Sequence, residues 1–277
     1  MVRKRKQCMW LEDRLYDGEV KSSNGGIAVF TSGSIGTIEG KVTVGASDNS
    51  STGIGVYSDG SSTRTTFQGN NAELTLGTGT VGLYSSKASD FGNVFTINKL
   101  KTSIGDGAVF AYFGNTGNTT DDTVNITNTT LQNLTVSSMG TNSAIFYGAK
   151  NTTININGNI TADSTKFSNI NDSAQFLVSD NGIVNINSGK TLTSELKTTI
   201  SGLNGATVTN EGTLALTGKD GAVGIYSNAS TATNSGTLTT NNQSSIGIYG
   251  KWFSTLTNNN VITTSGNKSV GIFAENS

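Results

Sequence analysis

A short pattern of apolar and small residues recurs along the chain. In its clearest form an aliphatic residue, a glycine, a second aliphatic residue and an aromatic residue follow one another, as in residues 54–57, 223–226 and 246–249. Ten copies, some of them degenerate, are spaced 23 to 33 residues apart. Such a steady spacing indicates internal structural repeats. The fourth residues of the copies are Phe30, Tyr57, Tyr84, Phe113, Phe146, Phe176, Leu203, Tyr226, Tyr249 and Phe273.

A second motif runs in phase with the first. The order Thr-Asn-x-Gly-Thr-Leu occurs at residues 209–214 and 233–238, and residues 257–262 form a third copy with asparagine in place of glycine. The three asparagines of this motif are 24 residues apart. Asparagine and glycine tolerate the backbone conformations of sharp turns. Each repeat is therefore predicted to contain at least two short strands separated by Asn/Gly turns.

Strands this short cannot enclose a core unless successive repeats stack. Stacking would bury the inward aliphatic residues, each worth about 1.5–3 kcal/mol, in one column. The small residue between two aliphatic ones would then face outward or lie where adjacent coils crowd. We predict an all-β parallel β-helix (β-solenoid) of about ten coils, roughly 45–50 Å long. The alternative, an ordinary β-sandwich, has similar strands and turns but does not need a recurring phrase.

Composition limits the chemistry that the protein can perform. The 277 residues include no histidine, no proline and one cysteine. A Ser-His-Asp triad, a histidine-ligated metal site and a disulfide framework are therefore impossible. The net charge of −1 gives no electrostatic footprint for nucleic acid. We predict no catalytic, cofactor-binding or metal-binding residues, no cofactor, and a protein that is not an enzyme.

Two features bear on sugar chemistry. The recurring aromatic residues could form a sugar-stacking ladder, but we favour structural stacking of equivalent positions on adjacent coils. Asp121 and Asp122 could provide the paired carboxylates of a glycosidase. Adjacent residues of a strand point to opposite faces, and no basic residue lies close, so we interpret the pair as a solvated turn. A β-helical polysaccharide lyase or hydrolase of the tailspike type, and a purely structural spacer, remain the alternative functions.

The ends of the chain depart from the repeat. Residues 1–20 begin with a basic run but have no apolar segment like that of a signal peptide, so we interpret them as a cap or a reading-frame artefact. Residues 21–277 are predicted to form the β-helix. The sequence ends in mid-repeat, and we expect it to be a fragment of a longer protein.

The phrases at residues 223–228, 233–238 and 246–250 resemble the passenger repeats of autotransporter adhesins, which are type V secreted proteins of Gram-negative bacteria. The resemblance covers residues 26–277 and is strongest over 206–277. It implies a right-handed β-helix that acts as a stalk or adhesin at the cell surface, either anchored in the outer membrane or secreted. It also implies a C-terminal β-barrel translocator in the parent protein, and a host or partner-cell surface protein or glycan as the partner.

The repeat is longest in the middle of the chain, where it leaves room for protruding loops. If the protein has a binding determinant, we expect it at residues 114–142 and 161–172.

Overall fold

The computed structural model describes residues 9–10, 15–48, 50–59, 63–114 and 122–276. Strands make up 56% of the structure and helices 4%, so the all-β prediction is confirmed. Strands that follow one another along the chain belong to different sheets, and each pairs in parallel with its counterpart one coil away. The result is the predicted β-solenoid of stacked coils.

The widest sheet takes one strand from every coil. The ten phrases found in the sequence form ten successive strands of this sheet, and about nine turns of the solenoid lie between the first and the last. Its eleven strands are β1 (Met9–Trp10), β4 (Ile27–Ser32), β7 (Ile54–Asp59), β10 (Val81–Ser85), β13 (Val109–Phe113), β16 (Ala144–Gly148), β19 (Gln175–Asp180), β22 (Thr198–Leu203), β25 (Val223–Asn228), β28 (Ile246–Lys251) and β31 (Val270–Glu275).

The other two sides of the solenoid are built from different sheets in the early and late coils. Early coils contribute β2 (Leu15–Tyr16), β5 (Ile35–Ile38), β8 (Arg64–Phe67) and β11 (Phe95–Ile97) to one sheet, and β3 (Glu19–Lys21), β6 (Lys41–Val44), β9 (Glu73–Leu76), β12 (Leu100–Ile104) and β15 (Leu134–Met139) to another. Late coils contribute β14 (Asp122–Ile126), β17 (Thr152–Ile156), β20 (Ile183–Ile186), β23 (Thr207–Asn210), β26 (Thr231–Asn234) and β29 (Thr255–Asn258) to one sheet, and β18 (Ile160–Ala162), β21 (Thr191–Ser194), β24 (Thr213–Leu216), β27 (Thr237–Thr240) and β30 (Val261–Thr264) to the other.

The change of sheets explains why the repeat lengthens in the middle. A 3-10 helix (Ala88–Asp90) and α1 (Phe91–Val94) enter one coil, and α2 (Asn128–Leu131) enters the next. That second coil also contains both β14 and β15, so it belongs to the late and the early sheets at once. The segment 163–172 of the following coil still contacts β15 through two isolated bridges.

Phenylalanine rings fill the core of these longer coils. Phe113, Phe146 and Phe176 are fully buried. The rings of Phe113 and Phe146 lie 5.8 Å apart, and those of Phe146 and Phe176 lie 5.5 Å apart. The sequence phrases predicted that these three residues and Leu203 occupy positions equivalent to Tyr84 and Tyr226 on adjacent coils. That prediction is wrong.

The register of the strands shows which residues occupy equivalent positions on adjacent coils. Tyr84 pairs with Tyr112, Tyr112 with Tyr147, Tyr147 with Val178, and Val178 with Ser201. Matching by residue type therefore slipped by one or two residues where the coil length changes. Such a slip is severe in a strand, because neighbouring positions point to opposite faces of the sheet.

The glycines of the first phrase lie where adjacent coils crowd, which is the second of the two predicted placements. Gly55 is buried, and a Cβ atom on it would lie 2.6 Å from the carbonyl oxygen of Gly82. A Cβ atom on Gly224 would lie 2.6 Å from the carbonyl oxygen of Gly247. Glycine at these positions lets the coils approach to hydrogen-bonding distance.

The first two asparagines of the second motif lie inside the solenoid and not in turns, whereas Asn258 at the end of β29 is exposed. Asn210 and Asn234 end their strands and are fully buried. Asn210 Nδ2 donates to Asn234 Oδ1 (2.7 Å), and Asn234 Nδ2 donates to Asn258 Oδ1 (2.8 Å). The 24-residue spacing thus creates an amide ladder that joins three coils. Left-handed corners do occur at other asparagines, such as Asn204 with a φ of 52°.

Replacing Gly236 with alanine is expected to destabilise the late coils. The new Cβ atom would overlap the carbonyl oxygen of Gly212 in the preceding coil. We expect the free energy of unfolding to fall by about 1–3 kcal/mol, as in overpacked cores. Gly92→Ala is the matched control, because nothing lies within 4 Å of its Cβ position and Gly92 is in α1. Denaturant titration measures the free energy of unfolding of both variants. If both lose the same amount, close approach of the coils at Gly236 is not the cause.

Candidate functional site

A column of aromatic rings runs along the outer face of the widest sheet. Neighbouring ring centroids are 5.2 to 5.9 Å apart. The column is interrupted at Val178 and Ser201, which occupy equivalent positions in two successive coils. The column therefore consists of a run of five rings and a run of three. The eight rings are Phe30, Tyr57, Tyr84, Tyr112, Tyr147, Tyr226, Tyr249 and Phe273.

Rings on adjacent coils contact one another, as the structural interpretation predicted. The ring planes of Phe30 and Tyr57 differ by 8°, and so do those of Tyr112 and Tyr147. The other four pairs are tilted or edge-to-face, with interplanar angles of 35° to 65°. At the interruption Tyr226 has a ring neighbour on one side only, so a ligand can approach its other side there.

The interruption forms a concave site that we call the column notch. It has a volume of about 320 Å³, at the lower end of the range for ligand pockets. On one side it is lined by Thr198 of β22 and by Ser201, which is only 2% exposed, and on the other side the next coil presents Val223 and Tyr226. None of the lining residues is charged. They are Ser173, Gln175, Thr198, Ser201, Leu203, Val223, Tyr226 and Tyr249.

Polar contacts fix the side chains at one edge of the column notch. The Ser201 hydroxyl donates to the Gln175 carboxamide oxygen. Beside them, Asp180 accepts hydrogen bonds from the Tyr147 hydroxyl (2.9 Å) and from Asn204 Nδ2 (2.8 Å). Burial and the hydrogen bond to Asp180 raise the pKa of Tyr147 well above its usual value. Tyr147 therefore stays neutral at physiological pH and holds Asp180 in place.

Tyr249 provides a test of the geometry of the column. Its hydroxyl donates to the Glu275 carboxylate, and this hydrogen bond is the main reason that the pKa of Tyr249 is raised to about 12. The folded state keeps this proton longer than the unfolded state, so the stabilisation is complete below pH 10 and is lost as the pH rises through about 12. Glu275→Gln should move one tyrosine ionisation towards lower pH.

The test is a titration of phenolate absorbance in the native protein. Glu211→Gln is the control, since Glu211 is an exposed carboxylate outside the column. If both variants titrate like the unaltered protein, Glu275 does not govern the pKa of Tyr249.

The predicted loop at 161–172 forms a ledge beside the late coils. A concavity of about 370 Å³ lies beneath it, lined in part by Phe167, Ile170 and Leu196. Asp172 holds the loop to these coils through Lys219 Nζ (2.7 Å) and Lys197 Nζ (3.3 Å). The hydrogen bonds from the two lysines lower the pKa of Asp172.

The other predicted loop region also borders a concavity. Residues 115–121 of the segment 114–142 lie outside the described residues, and most of the rest forms β14, α2 and β15. Gln132 and Asn133, in the turn after α2, line a concavity of about 280 Å³ together with residues of the preceding coil such as Phe95. Both predicted regions therefore place described residues beside a concavity formed with a neighbouring coil.

The two carboxylates singled out in the sequence are described only in part. Asp122 begins β14 and is buried, so the solvated-turn interpretation is wrong for it, whereas Asp121 lies outside the described residues. Asp122 lies on the inward face of β14, which it shares with the buried Val124 and Ile126. Among the described residues, no group of three or more histidine, cysteine, aspartate or glutamate side chains could hold a metal ion.

Comparisons of the chain with protein-family models, curated proteins and solved structures find no match. Within the described ranges, no helix has the length and apolar character needed to cross a membrane. The fold and the surface features above are therefore the basis for assigning a function.

Of the residues that line the column notch, Tyr226 and Tyr249 were singled out from the sequence as recurring aromatic residues and Leu203 as the end of a phrase, but the others were not. Gln175 belonged to a loose copy of the phrase, and Ser201 to a degenerate one. The available signal was the weakness of those two copies, because both fall in the coils that lack an aromatic residue in the column.

Proposed function

We propose that this chain is a passenger-type stalk and adhesin that attaches a Gram-negative cell to host or partner-cell surfaces. The observation that supports this most directly is the column notch, an uncharged, aromatic-walled concavity on the side of the rod. The resemblance of residues 206–277 to autotransporter passenger repeats supports the same function. In this proposal the rod is displayed at the cell surface, either anchored in the outer membrane or secreted.

The solenoid is well suited to present such a site at a distance. Nine turns at a strand spacing of about 4.8 Å make a rod of roughly 43 Å. Backbone ladders join each coil to the next, so the rod resists bending without a thick core. The net charge of −1 provides little long-range steering, and contact would depend on shape and hydrogen bonding at close range.

Binding of the labelled chain to cultured epithelial and bacterial cells tests the proposal. We expect saturable binding that excess unlabelled chain displaces and that thermally unfolded chain does not compete with. Binding that never saturates, or no binding to any cell type, would instead support a structural spacer. Reducing ends or unsaturated products released from a polysaccharide panel would support the lyase or hydrolase alternative.

A further inference from the structure

We infer that the column notch is a subsite for one neutral pyranose residue of a cell-surface glycan. The inference rests on the proposed function and names the class of ligand that the adhesin would contact. It follows from the shape, the chemistry and the charge of the concavity.

The size of the notch suits a single six-membered ring. The concavity has a volume of about 320 Å³. Ser201 is itself only 2% exposed. A ring in the concavity would therefore contact the half-buried side chains of Gln175, Thr198, Val223 and Tyr226.

The lining presents an apolar wall and a polar edge. Val223 and Tyr226 form the wall on the side of β25, and Gln175 and Thr198 lie on the opposite side. A pyranose has the same division, with a face of C–H groups and a rim of hydroxyl groups. The Gln175 carboxamide has two polar ends, and only one of them is engaged by Ser201. The other end can bond to a sugar hydroxyl.

The charge of the surroundings selects a neutral sugar. No lining residue carries a charge, so an anionic sugar would find no partner for its carboxylate. Asp180 pairs in register with Leu203 at the edge of the notch, and its negative charge would oppose a sialic or uronic acid. Its two oxygens already accept hydrogen bonds from Tyr147 and Asn204, which fix its position.

The test is saturation-transfer NMR of the full chain with methyl glycosides of glucose, galactose, mannose, fucose, N-acetylglucosamine and N-acetylgalactosamine, and with sialic and glucuronic acids. Ser201→Tyr introduces a ring beside the notch, at a position where the two following coils carry tyrosine, so the variant is expected to fold. We expect at least one neutral glycoside to bind the unaltered chain and at least a tenfold weaker affinity in Ser201→Tyr. Thr209→Tyr, on the outer face of β23, is the matched control and should bind like the unaltered chain.

Three results would overturn the inference: no neutral glycoside binds, only the acidic sugars bind, or Ser201→Tyr binds as well as the control. These results are distinct from failure of the proposed function. If cells bind Ser201→Tyr and the unaltered chain equally, adhesion stands and the notch is not its site. If a neutral glycoside binds in the notch but no cell binds the chain, the subsite stands and the adhesin proposal fails.

Discussion

Replacing Phe146 with alanine should lower the free energy of unfolding by about 3–5 kcal/mol, the range for large-to-small changes at buried phenylalanines. Phe146 is fully buried between the rings of Phe113 and Phe176. These rings supply much of the apolar volume in the core of the longer coils. Loss of one ring would leave a cavity that the backbone ladders on either side prevent from collapsing.

The adjacent residue provides a control. Tyr147 points outward, is half-buried, stacks on Tyr112 at 5.4 Å and donates to Asp180. Tyr147→Ala should cost about 1–2 kcal/mol, because it loses one stacking contact and one hydrogen bond. Equilibrium denaturation of both variants, followed by circular dichroism, shows which variant loses more of its free energy of unfolding. A larger loss for Tyr147 than for Phe146 would contradict the register of β16.

The second large effect is expected from the amide ladder. Asn234 is fully buried, and its Nδ2 donates to Asn258 Oδ1 (2.8 Å) and to the carbonyl oxygens of Gly236 and Val261 (both 3.2 Å). Its Oδ1 accepts from Asn210. Asn234→Ala would remove all of these bonds and leave two buried partners, the Asn210 amide and the Gly236 carbonyl, each short of one hydrogen bond. We expect a loss of about 3 kcal/mol or more, because each unsatisfied buried group costs about 1–3 kcal/mol.

A similar amide ladder on the outside of the solenoid provides the control. Asn185 Nδ2 donates to Asn155 Oδ1 (2.9 Å), and Asn185 is half-exposed. Water can replace this bond, so Asn185→Ala should cost less than about 1 kcal/mol. Native-state hydrogen exchange of β26 and β29 would locate the effect of Asn234→Ala in the late coils. If the two variants lose stability equally, the buried ladder does not support the late coils as described.

The sequence was sufficient to predict the fold and the register of the regular coils. Copies such as residues 54–57 and 246–249 recur at nearly constant spacing, and the structure aligns their aromatic residues as the phrases do. The register failed between Phe113 and Leu203. Short helices lengthen the coils just before and just after Phe113. Phenylalanine points inward in that region, whereas Phe30 and Phe273 belong to the outer column. Residue type alone could not distinguish the two faces.

The candidate site was harder to predict than the fold. The column notch lies where the aromatic column is interrupted, since Val178 and Ser201 stand where the coils before and after them have tyrosine. Such a gap is recognisable only after the register is known. The buried role of Asn210 and Asn234 was also missed. Asparagine is common in turns, and only stacking of the coils brings these amides within hydrogen-bonding distance of each other.

The register of the coils between Phe146 and Tyr226 determines both the buried phenylalanines and the column notch. Disulfide formation between paired cysteines, in a Cys8→Ser background, measures it directly. Gln175 and Thr198 are partners in neighbouring strands and point outward, so Gln175→Cys with Thr198→Cys should form a disulfide. Phe176→Cys with Leu203→Cys, the pair that the sequence phrases align, should not. Cross-linking of the second pair and not of the first would contradict the register and remove the basis for the notch.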